Sequence, residues 1–480
     1  MPDTYGHART ATEDELSDEL EGEGDGDLYL GRYYDASSGK ARGEIRYGGD
    51  RHLLVFGPTG SGKGRRLLMP NLLTGLKEQS VVVIDPKGEA ADFTANARRA
   101  MGQDVVILNP FNVRGLGSAG FNPLAALNPD SPTFYDDANG IGEALIKIQG
   151  SDPHWTESAL GLIVALVMWE KRKNGPNANL GNVRTMLTEA KLKEAAEGSD
   201  GERYMRQTAG LRVTAANMLA EGGPEIESLI ARFIESTREI DSIQSTADTQ
   251  TRWLLSPPVR GDLERDGLDF AKLRDRPTTV YVVLPAERLR THSVWLRLVI
   301  VSALTTLYRK NEGRRVVMLV DEMAALGHLA PLEDAFALIR GFNIQIAAMF
   351  QDLGQLKELY KERWETFIAN AGPVFGFAPN DLTTADWMSR RSGQTTIVLK
   401  GYSENSSTTL GNQMSISTSE GISEQQFGRN LFLPHELIGL ERGMGLLWLA
   451  GLGNTTRIFA PDFEKIAACK ERLKPLTGTP

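Results

Sequence analysis

This 480-residue sequence contains one cysteine, Cys469, so no intrachain disulfide can form and no cysteine-based metal cluster can be built. Its six histidines (His7, His52, His154, His292, His328 and His435) are too scattered to supply such a cluster instead. Long apolar runs are also missing. The longest, Leu162–Trp169, falls well short of the roughly 18 residues that a membrane-spanning helix needs, so no stretch is expected to cross a bilayer. No basic segment followed by an apolar core opens the chain, which argues against a secretory leader and predicts a cytoplasmic protein.

Aromatic residues make up only 7% of the chain and are not interleaved with basic ones, the pattern on which single-stranded nucleic acid stacks. An overall positive charge is lacking too, the net being −9. That excess has one source, for residues 13–27 carry nine acidic side chains, and setting residues 1–27 aside leaves 52 acidic and 52 basic groups. A neutral body leaves room for a basic groove. The acidic stretch itself, residues 1–27, reads as a solvated tail, with a docking arm as the other use.

The most informative segment that is present is Gly57-Pro58-Thr59-Gly60-Ser61-Gly62-Lys63-Gly64. It follows an apolar run, His52–Phe56, and precedes a helix-compatible stretch, Arg65–Met69, which is the strand, loop and helix context of a phosphate-binding loop. Gly57, Gly60 and Gly62 let the backbone curl so that successive N–H groups face one centre, and the helix that follows aims its positive end at the same point. Lys63 would reach the β and γ phosphates of a triphosphate as a point charge. The next side chain normally gives Mg²⁺ a hydroxyl, which Gly64 cannot do. The metal would then rely on water, on Ser61 or Thr59, or on a carboxylate elsewhere.

A second set of polar residues follows buried strands. Val317–Val320 leads to Asp321 and Glu322, placing two carboxylates where open α/β sheets bind ligands. In that setting Asp321 would hold Mg²⁺ through water and Glu322 would orient and deprotonate an attacking water; on its own, an Asp-Glu pair also serves as a helix cap. Gln351 directly follows the apolar strand Ile344–Phe350, where its amide could sense a γ phosphate or simply face solvent. Arg340 ends a helix-like segment and could project into a neighbouring subunit's nucleotide, although most arginines are merely solvated.

The pattern along the chain predicts an α/β fold with an all-α insertion. Continuous β-branched runs at 80–85 and 104–108 flank a helical stretch, and strand-like runs return at 278–284, 315–321 and 344–350. Between them, helical periodicity dominates. The expected division is an acidic tail over 1–27, a discontinuous nucleotide-binding domain over 28–132 and 257–480, and an all-α domain over 133–256. Residues 403–424, rich in Ser, Thr and Asn, read as a mobile loop or an insertion between strands, and 442–451 as a last strand closing the sheet.

Taken together, the loop with the following Met69-Pro-Asn-Leu-Leu73, then Asp85-Pro-Lys-Gly-Glu89, Asn122-Pro-Leu124, Trp155, Asp321-Glu-Met-Ala-Ala-Leu-Gly327 and Gln351-Asp-Leu-Gly-Gln-Leu-Lys357, resemble the TraG/TraD type IV coupling proteins. Even Tyr5–Asp14 is similar to that family's juxtamembrane motif, with His7 where Ser is usual. The resemblance implies a RecA-like, FtsK/HerA-type ATPase that uses ATP and Mg²⁺, works as a homo-hexamer, and feeds DNA with its relaxase, or effector proteins, to a secretion channel.

It also implies roles: Lys63 on the phosphates, Asp321 on Mg²⁺, Glu322 as catalytic carboxylate, Gln351 as γ-phosphate sensor and Arg340 as inter-subunit arginine. Gly64 is common among such proteins. Family members usually begin with two membrane-spanning helices that this sequence lacks. A natural soluble form, held peripherally at the cytoplasmic face of the bacterial inner membrane by other secretion components, and a cytoplasmic piece of a longer protein are the two expectations. A nucleotide-gated recruitment module with little hydrolysis and a FtsK/HerA-like DNA translocase are the competing functions.

Overall fold

The computed structural model describes residues 4–20, 27–147, 153–189, 191–194, 205–235, 237–338, 341–409 and 415–473. Strands β1 (Leu28–Asp35) and β2 (Lys40–Tyr47) precede the phosphate-loop strand β3 (His52–Phe56), which is followed by β4 (Ser80–Ile84) and β5 (Asp104–Leu108). Within the helical region lie β6 (Lys191–Glu194) and β7 (Met205–Ala209). The strand pattern resumes with β8 (Thr278–Val282), β9 (Val316–Val320), β10 (Ile344–Phe350) and β11 (Ala371–Phe377). It ends with β12 (Gln394–Thr409), β13 (Ser415–Asn430), β14 (Met444–Leu449) and β15 (Thr456–Phe459).

Eleven strands make one sheet in the order β2-β1-β15-β14-β11-β3-β10-β9-β4-β8-β5. From β11 to β5 neighbouring strands run parallel, while β14, β15, β1 and β2 extend the sheet in antiparallel pairs. Helices cover both faces, so β3, β4, β8, β9 and β10 are buried at every position, which is why their sequences run continuously apolar rather than alternating. The pleat still sorts them. Val81 and Val83 join the core on the face that carries Leu67, Leu72 and Leu73, whereas Val82 and Ile84 face the core shared with Leu298 and Leu304.

That second core continues without a break into the helical region, where the helix His154–Asn174 buries Leu162–Trp169 among its neighbours. Its apolar run is therefore a core helix. Among the described residues no helix is long and apolar enough to cross a membrane.

Several expectations need correction. The region 133–256 is not purely helical, because β6 and β7 pair in antiparallel fashion; neither carries an apolar run, so no hydrophobic period marks them. The N-terminal stretch is not a free tail over its described part. The helix Glu13–Glu19 is closed by a capping box at Thr12 and Glu15, and it buries Leu16, with Leu20 buried just beyond it. Two apolar residues four apart suffice to dock an otherwise acidic helix.

Of the two readings of residues 403–424, the loop fails and the insertion between strands fits, since over their described part they belong to a ribbon between β11 and β14, β12 paired with β13 from Gln394↔Asn430 out to Thr409↔Ser415. Serine and threonine recur along both strands, and no period of two is visible in the sequence. Finally, β14 closes nothing: it lies inside the sheet, and β15 and β1 continue beyond it.

Candidate nucleotide-binding site

The loop 57–64 caps β3 and is tied to its neighbour, the Gly57 N–H donating to the Phe350 carbonyl at 3.0 Å. Gly60 (φ 84°) and Gly62 (φ 94°) take left-handed conformations that a side chain would strain, and these turns keep the loop curled around one centre. From Gly64 the chain enters a helix whose first turn is wide, Met69 N–H reaching back five residues to the Gly64 carbonyl, before Met69–Thr74 continue as an α-helix. Helix and loop therefore aim a set of backbone N–H groups into the same cleft.

The cleft has a volume of about 500 Å³. Besides the loop it is lined by Asp85, Lys87, Asp321, Glu322, Gln351 and Arg442. Asp321 and Glu322 stand just beyond the end of β9, and Gln351 just beyond β10, which lies between β3 and β9. That strand order puts the glutamine between the loop and the carboxylates. Thr59 Oγ1 donates to Gln351 Oε1 at 3.2 Å, and Gln351 Nε2 donates to Glu322 Oε2 at 3.0 Å. Gln355 Oε1 accepts from the Gln351 N–H at 2.9 Å, fixing the turn that presents the side chain.

Lys63 is buried under the loop, its Nζ donating to the Gly57 carbonyl. Burial lowers its pKa, against the raising influence of Asp321 and Glu322. Burial likewise raises the Asp321 carboxyl, opposed by Lys63 and reinforced by Glu322. Its side chain still lines the cleft. Asp85 is held well above the usual carboxylate range, at about 6, chiefly by burial; the Ala91 N–H opposes the rise and Asp321 adds to it.

The arrangement fits a magnesium–triphosphate. An added Cβ on Gly64 would stand 3.8 Å from Asp321 Oδ2, so the glycine leaves an open seam between the loop and that carboxylate. Among the described residues no group of three or more His, Cys, Asp or Glu side chains could hold a metal alone. Mg²⁺ needs no such group, since it commonly takes one or two carboxylates and fills its shell with water and phosphate oxygens.

The sequence had marked Gly57 to Gly64, Asp321, Glu322 and Gln351, and the fold brings all of them together. Arg340 lies outside the described residues. Lys87 and Arg442 were missed as cleft residues. Lys87 follows the end of β4 and could have been found from that position; Arg442 comes from a turn before β14, to which no motif points.

Comparison with known proteins agrees with this geometry. The family model "Type IV secretory system Conjugative DNA transfer" matches residues 10–453. The chain belongs to that family. It is 28% identical over 423 residues to the conjugal transfer protein TraG of Rhizobium radiobacter, covering 84% of this chain and 60% of the relative. With the type IV secretion system-coupling protein VirD4 of Bartonella quintana it shares 26% over 408 residues, 81% of this chain and 59% of the relative. The chain thus spans about 60% of the length of the curated relatives it matches.

Among solved structures, the bacterial conjugative coupling protein TrwBdeltaN70 superposes with a TM-score of 0.65 at 17% identity, over 96% of this chain and 94% of that one. The likeness shows that this conjugative DNA transfer family member shares that fold. The TrwB protein has also been solved with the ATP analogue ADPNP and with ADP and Mg²⁺.

Proposed function

We propose that this chain binds ATP with Mg²⁺ in the cleft and hydrolyses it, and that hydrolysis drives delivery of DNA with its relaxase, or of effector proteins, to a type IV secretion channel at the bacterial inner membrane. The observation that carries the reading is the convergence of the loop, the carboxylate pair and Gln351, with the glutamine bonded to both of the other parts. Family membership supports it, as do the nucleotide complexes of the TrwB protein.

On this reading the backbone of Gly57, Pro58, Thr59, Gly60, Ser61, Gly62, Lys63 and Gly64 cradles the phosphates, and Lys63 exchanges the Gly57 carbonyl for a phosphate oxygen. Asp321 would hold Mg²⁺ through water, and that ion would supply positive charge to the phosphates. Glu322 takes the proton of the attacking water, and Gln351 steers Glu322 while its amide faces the γ phosphate. Arg340 completes the site of the adjacent copy in a homo-hexamer, a role that rests on the sequence resemblance.

The test is ATP turnover per subunit against protein concentration, with and without DNA, for the wild type and for Lys63→Ala, Glu322→Gln and Arg340→Ala. The motor reading expects turnover that climbs with concentration, rises with DNA and is lost in all three variants. In mixtures, Arg340→Ala should regain activity beside Lys63→Ala subunits, because each supplies what the other lacks at a shared boundary. Flat, near-zero turnover with intact nucleotide binding would leave a recruitment module and overturn the motor.

A further inference from the structure

The β12–β13 ribbon leaves the body at a stitched root. The Leu431 N–H donates to the Gly393 carbonyl at 2.9 Å, Ser389 Oγ to the Phe432 carbonyl at 2.6 Å, and Asn430 Nδ2 to Ser389 Oγ at 2.9 Å. Between this root and the short helix Pro434–Ile438 lies a pocket of about 370 Å³, separate from the nucleotide cleft. Its apolar wall is Ile397, Leu431, Phe432 and Leu440, and Thr395, Arg429, Glu436 and Arg457 complete the lining.

The two arginines differ. Arg429 is paired with Glu436, which also caps the helix by accepting the Leu433 N–H at 2.8 Å. Arg457 lies over the Phe432 ring at 4.8 Å and, among the described residues, meets no carboxylate. Its Nε is buried without a hydrogen-bond partner, as is that of Arg429. A guanidinium that is stacked, partly desolvated and unpaired is prepared for a planar anion.

The apolar surface also continues out of the pocket. Ile397 and Phe427 are cross-strand partners, so they share a face of the ribbon, and Leu399 lies two positions on. Phe427 and Leu399 are 43% and 56% exposed, an unusual display for large apolar side chains beside an open pocket. Lys400 is already paired with Glu424, which leaves this part of the ribbon without the free positive charge that nucleic acid would require.

We propose that this pocket is a docking site for an extended acidic segment of a partner protein, with one large apolar side chain seated against Ile397, Phe432 and Leu440 and a neighbouring carboxylate held by Arg457. The apolar wall supplies affinity by area, and the unpaired arginine selects the charge. The site stands apart from the nucleotide reading and does not depend on it.

The experiment is a selection of random twelve-residue peptides displayed on phage against the wild-type chain, followed by fluorescence anisotropy of the winning peptide with wild type, Arg457→Glu and Ile397→Asp. The expected result is a consensus joining a Leu, Ile, Phe or Tyr to an adjacent Asp or Glu, with binding weakened at least tenfold by each variant. Unchanged thermal melting and ATP turnover of Arg457→Glu would show that it remains folded. A basic consensus, no consensus, or binding that ignores both variants overturns the proposal. So does a wild-type dimer by light scattering that Arg457→Glu dissolves, because the occupant would then be a second copy of the chain.

Discussion

The Gln351 amide donates to Glu322 Oε2 at 3.0 Å while its carbonyl accepts from Thr59 at 3.2 Å, so one side chain spans the space between the loop and the carboxylate pair. On the proposed reading this bridge keeps Glu322 aimed before any phosphate arrives. Gln351→Ala should therefore lower kcat about 100-fold, the scale of losing one preorganised polar contact at a reacting centre, and leave nucleotide affinity within a few fold. Stopped-flow phosphate release beside fluorescent-nucleotide binding separates the two, and a change in affinity alone would remove Gln351 from the chemistry.

Gly64 makes a second, cheaper test. The open seam beside Asp321 has room for a hydroxymethyl group, so Gly64→Ser should fold normally and offer Mg²⁺ an oxygen it now lacks. Half-maximal turnover should then need several-fold less Mg²⁺ than in the wild type, read from a magnesium titration at saturating ATP. An unchanged requirement would place the metal away from this seam.

The buried carboxyls predict a pH dependence of the nucleotide-free protein. Asp85 sits at about 6 against an ordinary value of 3.8, so the folded state holds its proton more tightly than the unfolded chain. The stabilising contribution of that proton is complete below pH 4, declines as pH rises, and is gone above about pH 6. Asp85→Asn stays neutral throughout. Its stability relative to the wild type should rise by about 1–3 kcal/mol between pH 4 and pH 6.5, followed by urea unfolding across that range.

Leu16 offers a test of the docked N-terminal helix. Cutting a fully buried leucine to alanine costs about 2–5 kcal/mol, more than a seven-residue helix can spare, so Leu16→Ala should release this segment while the sheet stays folded. Hydrogen exchange should show protection lost over residues 13–20 and kept in β3, β9 and β10. Retained protection would mean that the capping box at Thr12 alone holds the helix.

The phosphate loop, Asp321, Glu322 and Gln351 were legible because each follows a buried parallel strand, whose unbroken apolar sequence gives both its position and its end. Local pattern alone did not reveal which strands are neighbours. The position of β10 between β3 and β9, which brings Gln351 to Glu322, depends on pairing between distant segments. The β12–β13 ribbon was unreadable for another reason: residues 403–424 are rich in serine, threonine and asparagine, and such a stretch has no hydrophobic period to detect. The docked helix was masked by its charge, since two leucines among so many acids look like a solvated tail.

The pairing of β1 with β15 joins Arg32 to Phe459, residues far apart in the sequence. During synthesis every strand of the parallel set has been made once residue 377 emerges, and β14 can follow. The β1–β2 hairpin, made before the parallel set, must wait until β15 has been made for its neighbour, with one edge open to unwanted partners. The nucleotide cleft can thus be assembled before the sheet is closed. An interrupted chain would already carry the phosphate loop and its carboxylates, but would keep a sticky edge that marks it as unfinished.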